Sequence, residues 1–316
     1  MRRVLAGAFL AVVSVVVDAS PAAAVIDPGS TKTYPAIYTE TGGPPDPILT
    51  SLSVNLAANE TRYIFSRVQL DRPSTRIYVK QMVECLNSSG TVINGSARTW
   101  QNIMPAQTLV LTSRQLFTAP TAGTYLCRTR FKTYVPGGAA DPNQNVRVVG
   151  NPGTYLSLDD NPEPFAAQSF QVADVKIAAG ASADVAVLNW TAPSGVTNFI
   201  ATADTELTNC YSASPPPCTT SPSNTRSSVM DSRLQVMQRD NSGGYCKITN
   251  WPTSGYDRTT ITRDEHHEKN YHRVPATISN ASGCTRNFRI KVFARTVSGN
   301  PVNVDNGGFT NTFVMD

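Results

Sequence analysis

Three histidines are all that the chain contains, and they fall within nine residues, Asp264-Glu265-His266-His267-Glu268-Lys269-Asn270-Tyr271-His272. Imidazoles close to carboxylates can hold a divalent ion such as zinc, or move protons as general acids and bases. The candidate ligands are His266, His267, His272 and Glu268, with Asp264 and Glu265 beside them for acid–base work. Spacing limits this chemistry. On one straight strand His266 and His272 would stand roughly 20 Å apart, with His267 facing the other way. A two-residue turn at Lys269-Asn270 would set His267 and His272 opposite each other, with Cβ atoms about 5 Å apart. Lys-Asn is a weak turn pair beside Asn-Gly, and the zinc-protease pattern H-E-x-x-H fails because Tyr271 stands at the second histidine's place. The expectation taken forward is a solvated, charged loop or edge strand with no cofactor. A divalent-metal or catalytic site is the alternative.

Other catalytic signatures are absent. There is no G-x-S-x-G elbow, since Gly180-Ala181-Ser182-Ala183 continues to Asp184. No phosphate-cradling or dinucleotide-binding glycine pattern occurs either. Asp159-Asp160-Asn161 offers oxygen ligands for calcium but lacks the spaced D-x-[DN]-x-[DN]-G pattern, so it reads as a linker. Arg128, Arg130 and Lys132 form a basic row that could meet anionic polymers or a protein partner, as do Arg289, Lys291 and Arg295. Such rows are equally the charged outer face that keeps sheets from pairing edge to edge. Of Trp100, Trp190 and Trp251, the last, in Asn250-Trp251-Pro252, has the setting of a loop anchor for a ligand.

The elements that must position these residues have a period of two. Tyr125, Cys127, Thr129 and Phe131 alternate with Leu126, Arg128, Arg130 and Lys132. Phe288, Ile290, Val292 and Ala294 alternate in the same way with Arg289, Lys291, Phe293 and Arg295. Ile77, Val79, Val83 and Cys85 also share a face. Successive strand side chains point to opposite faces, so each run has an apolar and a polar side. Cys85 and Cys127 then both point inward, as a bridge between two packed sheets requires. No segment carries a 3.6-residue apolar stripe, and 22 prolines and 20 glycines punctuate the chain as turns. Many short strands with frequent turns predict sandwiches.

The N-terminus has the three parts of a secretory signal peptide: Arg2-Arg3, an apolar run from Val4 to Val17, and small residues ending Ala22-Ala23-Ala24. Cleavage is expected after Ala24. The apolar run would reach about 21 Å as a helix against a hydrocarbon core of about 30 Å, too short for a comfortable span. No membrane span is expected once it is removed. The net charge of the 316-residue chain is +4, too mild for the concentrated basic footprint of a nucleic-acid partner. Six cysteines in an exported chain predict three disulfides, and no C-x-x-C pair suggests a metal cluster. Besides Cys85 and Cys127, the set Cys210, Cys218, Cys246 and Cys284 allows three connectivities. The preferred one joins Cys210 to Cys218 locally and Cys246 to Cys284.

Internal similarity is visible at an offset of 121 residues. Val54-Asn55-Leu56-Ala57-Ala58-Asn59 matches Val175-Lys176-Ile177-Ala178-Ala179-Gly180. Each copy continues with an apolar stretch, a strand-like run reaching a cysteine, and a late strand with alternate basic residues. A tandem duplication accounts for all four. The expected organisation is a signal peptide at 1–24, a flexible N-terminal segment at 25–47, and sandwich domains at 48–160 and 161–316. The second domain carries a long insertion around 211–275. The join is placed in the proline-spaced segment 159–164. Val146–Val149 and Tyr155–Leu158, flanking Asn151-Pro152-Gly153, are predicted to close the first domain as a hairpin.

Gly123-Thr124-Tyr125-Leu126-Cys127, with Cys85 some forty residues upstream, resembles the tyrosine corner and inter-sheet disulfide of immunoglobulin-like domains. The resemblance covers about one third of the first domain, and Trp100 falls late for the family's core tryptophan. It implies an all-β chain of two tandem immunoglobulin-like antiparallel β-sandwich domains and no particular ligand. The whole chain also looks like secreted proteins common in actinobacteria, a resemblance that implies no activity. The functional expectation is a secreted, non-catalytic protein that presents Trp251 or the Arg128, Arg130 and Lys132 row to an extracellular protein or a cell-surface polysaccharide. A secreted hydrolase using the histidine segment and a structural envelope protein are the alternatives.

Overall fold

The structure, a computed structural model, describes residues 24–26, 31–39, 45–135, 139–159, 163–210 and 227–316. All regular structure among them is β-strand, and every pairing is antiparallel. Sheet I runs β3 (Ile48–Leu56), β8 (Gly123–Tyr134), β5 (Ile77–Leu86), β6 (Val92–Ile103). Sheet II runs β1 (Ala24–Ile26), β10 (Tyr155–Leu158), β4 (Thr61–Asp71), β9 (Asp141–Val148), β2 (Lys32–Ala36), with β7 (Thr108–Thr118) along the other side of β4. Sheet III runs β11 (Ala167–Gln171), β21 (Gly307–Met315), β14 (Asn198–Asn209), β20 (Val302–Val304), β12 (Val175–Ile177), with β18 (His267–Thr277) also on β14. Sheet IV runs β13 (Ser182–Thr191), β19 (Cys284–Gly299), β15 (Ser227–Asp240), β16 (Tyr245–Trp251), with β17 (Asp257–Thr262) beside β15.

The alternation in the sequence decides which faces close on each other. Ile77, Val79, Val83 and Cys85 of β5 are fully buried with Val68 and Leu70 of β4, Leu111 of β7 and Phe131 of β8, so sheets I and II share one core. Phe288, Ile290, Val292 and Ala294 of β19 are buried with Val185, Ala201, Leu207 and Leu234, which fills the space between sheets III and IV. Each such aliphatic side chain contributes roughly 1.5–3 kcal/mol when withdrawn from water. Tyr125 Oη donates to the Thr121 carbonyl (2.7 Å), a tyrosine corner at the start of β8.

Four expectations are corrected. The Cys85–Cys127 disulfide does not join two sheets. Cys85 and Cys127 are direct partners in the β5–β8 register, with Cα atoms 4.0 Å apart, so the bridge staples neighbours within sheet I. Period-two alternation gives the face of a residue but not which strand lies opposite. The segments around Asn151-Pro152-Gly153 do not pair as a hairpin. β9 and β10 lie end to end on the same side of β4, and 149–154 is an excursion between them. Thr154 holds that excursion by accepting from the Gln69 amide (3.1 Å). Residues 32–36 are a strand and no loose arm, because the ring of Tyr34 packs edge-on against Phe131 at 5.8 Å. The two late basic strands are not counterparts. β8 lies with β3 and β5, whereas β19 lies with β13 and β15 in the opposite layer of its sandwich.

The two sandwiches touch along one seam. The edge strands of the first, β6 and β7, lie against β11, β18 and β21 of sheet III. Leu116, Tyr63, Phe313, Met315 and Ile200 form an apolar cluster across it. At its closest point the Gly308 backbone approaches Ser96 so tightly that a Cβ on residue 308 would lie 1.7 Å from the Ser96 carbonyl oxygen. Gly308→Ala is therefore expected to lower stability by about 1–3 kcal/mol, the range for overpacking. Thermal unfolding of the variant measures it. An unchanged Tm would mean that the approach is looser than described.

Candidate functional site

The histidine segment makes no hairpin turn and is in part the edge strand expected. A bend at 263–265, with Asp264 exposed, leads into a strand that pairs, among the described residues, with β14 alone. The expected solvation is corrected, because this edge is buried. Residues 267–277 form the continuous strand β18, in register with β14 from Thr208↔His267 to Asn198↔Thr277. All three histidines are buried, at 0–2% exposure. The strand persists through Lys269-Asn270 because both its faces are covered. Asn270, His272, Val274 and Ala276 face sheet IV, while His267, Lys269 and Tyr271 face the first sandwich. His267 and His272, five residues apart, therefore point to opposite faces and cannot share an ion. Among the described residues no group of three or more histidine, cysteine or acidic side chains could hold a metal ion.

What the segment does is dock. Asp264 accepts from Arg76 Nη1 (3.1 Å), Glu265 from Gln107 Nε2 (2.6 Å), and Glu268 from Gln101 Nε2 (3.4 Å). His266 lies 3.1 Å from the Tyr78 hydroxyl through Nε2. The His267 ring stacks on Trp100 with centroids 4.5 Å apart. Lys269 Nζ donates to the Arg98 carbonyl (3.0 Å) and to the Phe309 carbonyl, and lies 3.7 Å from Glu206 Oε2. Tyr271 carries the Arg114 guanidinium 3.7 Å above its ring, and Arg114 Nη1 donates to Asp204 Oδ1 (2.9 Å). Thr208 donates to Asp305 Oδ2 (2.6 Å) and so accepts from His267 Nδ1 (2.7 Å). That assigns the Nδ1–H tautomer and leaves Nε2 unpartnered.

Burial governs the protonation of this seam. It holds the Glu206 carboxyl well above the usual range, against the pull of Lys269. It pushes Glu268 to about 7, with Glu265 adding to the shift. It lowers His266 to about 4, helped by the Arg76 charge, and keeps His267 well below its ordinary value. At neutral pH these imidazoles are neutral hydrogen-bonding and stacking groups.

The other sequence candidates are scattered. Cys246 bridges to Cys284 across the ends of β16 and β19. Cys210 is disulfide-bonded, and Cys218 lies outside the described residues, as do Asp160 and Asn161 of the acidic turn. Trp251 closes β16, half-exposed at 46%, beside Ile248 at 51% and Tyr245 at 39%. Trp190 is a core residue packed on Phe199 and Phe288. Arg289 and Lys291 share Asp184, and Arg295 and Arg258 share Asp231.

The basic row of β8 belongs to a larger arrangement that the sequence reading missed. On the outer face of sheet I, register aligns Trp100, Lys80 and Lys132 in one cross-strand row and Arg98, Met82 and Arg130 in the next. Arg128 and Arg130 bond Glu84 (2.6 and 3.3 Å), and Arg130 and Lys132 reach Asp46 (2.7 and 3.3 Å). Five cations (Lys80, Arg98, Arg128, Arg130, Lys132) thus face two carboxylates (Asp46, Glu84), an excess of three. Tyr38, Tyr78, Tyr134 and Trp100 cluster at one end, and Phe309 comes in from the second sandwich over Trp100. An open groove of about 370 Å³ adjoins it, lined by Glu84, Ser96, Arg98, Phe170, Gly307 and Gly308 among others. Lys80 was legible, since it shares the parity of Tyr78 and Glu84. Phe309 was not, because docking brings it there.

No family model matches the chain, and no curated protein matches it. Among solved structures it is similar to a tandem pair of CBM22 domains from Paenibacillus barcinonensis Xyn10C, with 11% identity over 92% of this chain and 93% of that one, TM-score 0.27. It is also similar to peptide-N(4)-(N-acetyl-β-D-glucosaminyl) asparagine amidase (10%, 92% and 95%, TM-score 0.37) and to PNGase F (9%, 93% and 95%, TM-score 0.38). Likeness at this level carries nothing about ligand or reaction.

The seam predicts an opposed pH response. Glu268 has a folded-state pKa raised to about 7, so its contribution to stability is present below the unfolded value near 4.5 and is lost as pH rises towards 7. His266, depressed to about 4, contributes above 6.5 and loses that as pH falls towards 4. Glu268→Gln should therefore gain stability relative to the parent between pH 5 and pH 8. Denaturant unfolding at both values measures it, and a pH-independent difference would contradict a buried Glu268.

Proposed function

We propose that this chain is an exported, non-catalytic binding protein that engages a cell-surface polysaccharide through the outer face of sheet I. The observation that supports this best is the excess of three cations on that face beside the rings of Trp100 and Phe309. An excess of fixed charge in a partly desolvated groove attracts an anionic polymer more strongly than the same charges in open water. Tyr38, Tyr78 and Tyr134 are buried beneath that face, and the partly exposed rings of Trp100 and Phe309 add an apolar wall against which a sugar ring can lie. The seam makes the surface preformed, since Phe309 and the start of β21 at Gly307 and Gly308 are held in place by docking and need not be ordered on binding.

Export rests on the N-terminal signal pattern of residues 1–24 and on the disulfides, which persist in oxidising compartments. No helix among the described residues is long and apolar enough to cross a membrane. The organisation we propose is two tandem domains, 48–160 and 161–316, of immunoglobulin-like character, with β1 and β2 from the preceding segment completing sheet II of the first. The tyrosine corner at Tyr125 supports that kinship for the first. The hydrolase reading drew on His266, His267 and His272. Their side chains are committed to the seam and the second core, so the proposal does not use them.

Retention on immobilised polysaccharide tests the reading. The mature protein should be held by acidic cell-wall glycans, and released by salt as the Debye length shortens from about 10 Å at 0.1 M to about 3 Å at 1 M. Passage through acidic and neutral glycan columns alike, together with turnover of a peptide, ester or glycan substrate, would overturn it.

A further inference from the structure

Lys80 stands apart from the three cations of β8. Arg128, Arg130 and Lys132 each have a carboxylate within 3.3 Å. Lys80 has none among the described residues. Its ammonium lies 5.1 Å from the Phe309 ring centroid and 5.9 Å from that of Trp100, capping the place where these two rings, one from each sandwich, meet with centroids 6.2 Å apart. The charged groups around it on its own face are Arg98, Lys132 and Arg130, all of like sign, with Asp46 the one opposing influence. Asp46 is already shared by Arg130 and Lys132. Burial and these cations draw the Lys80 pKa down to about 8. A half-buried ammonium among like charges is unfavourable unless an anion completes the site.

Resting on the binding reading above, we propose that Lys80 anchors a subsite for one oxyanion group, carboxylate or sulfate, of an acidic polysaccharide. The anion would lie between Lys80 and Arg98, with Trp100 and Phe309 beside the sugar that bears it. Arg98 can contribute, since among the described residues its side chain bonds the Ser96 hydroxyl (3.0 Å) without a carboxylate partner and lies near Phe309. Two charge-assisted bonds to one group are stronger than neutral ones and fix its orientation. A bound anion raises the Lys80 pKa, so by linkage affinity falls as pH rises above about 8.

The test is calorimetric titration of the mature protein with three probes: an oligogalacturonate (carboxylate), a dextran sulfate oligomer (sulfate) and neutral dextran. We expect at least one acidic probe to bind and neutral dextran not to. Lys80→Met should weaken the acidic probe about tenfold or more at pH 7 while leaving Tm unchanged or higher. Lys80→Arg should bind at pH 7 and lose the decline above pH 8. Which acidic probe binds assigns the group. Unchanged binding in Lys80→Met overturns the subsite but leaves the binding reading standing, as does binding of neutral dextran alone. Failure of every probe also overturns the subsite, and the retention experiment then decides whether the binding reading falls with it.

Discussion

Desolvation of charge along one strand organises this molecule. β18 has a partner on each face, so its polar side chains could not be left to water. Glu206 and Lys269 lie at the middle of the seam with almost no exposure, and each is costly to bury alone. Removed from water, they face each other across the β14–β18 register, and Lys269 also reaches the Phe309 carbonyl within the second sandwich. Docking in one register adds the Arg98 carbonyl for Lys269 and the Trp100 amide for Glu206. The apolar cluster of Leu116, Phe313 and Met315 supplies attraction without direction. The polar seam supplies direction at little net gain, because a slipped register would strand an ammonium or a carboxylate in a dry interface.

That division of labour explains why a segment composed for chemistry is built into an interface. Histidine, aspartate and glutamate in a row are what a metal site uses, and equally what a hydrogen-bonded interface uses. Covering both faces of the strand decides between them. A strand presents side chains alternately, so three histidines at 266, 267 and 272 are divided between a tyrosine, a tryptophan and a serine from three different strands. Burial then suppresses the charge that would have made them acids.

Much of the fold was legible in the sequence because period-two patterning is a local property. The inward faces of β5, β8 and β19 follow from residues two apart, and so does the disulfide-bearing face. What was not legible is long-range. Cys85 and Cys127 share a face, but whether their strands are neighbours in one layer or opposed across two depends on sheet order. Likeness of β8 and β19 in charge pattern suggested equivalence, yet each belongs to a different layer, since a charged outer face is a general solution for any exposed sheet. The candidate site was half legible. Arg128, Arg130 and Lys132 were visible, while the carboxylates that neutralise them lie 44 or more positions away.

Those carboxylates change what the surface offers. Counting cations along one strand suggests that the β8 row is the attractive element, but Asp46 and Glu84 quench it locally. The unneutralised charge sits one strand over, at Lys80, and at Arg98 on the edge strand that faces the second sandwich. The recognition chemistry and the seam are thus parts of one device. The docking that buries Lys269 also carries Phe309 against Lys80, since the Phe309 carbonyl accepts from Lys269 while its ring lies under the Lys80 ammonium. A change that loosens the seam should therefore alter the environment of Lys80 before it alters either core. The surface is set by how the two sandwiches meet more than by either sandwich alone.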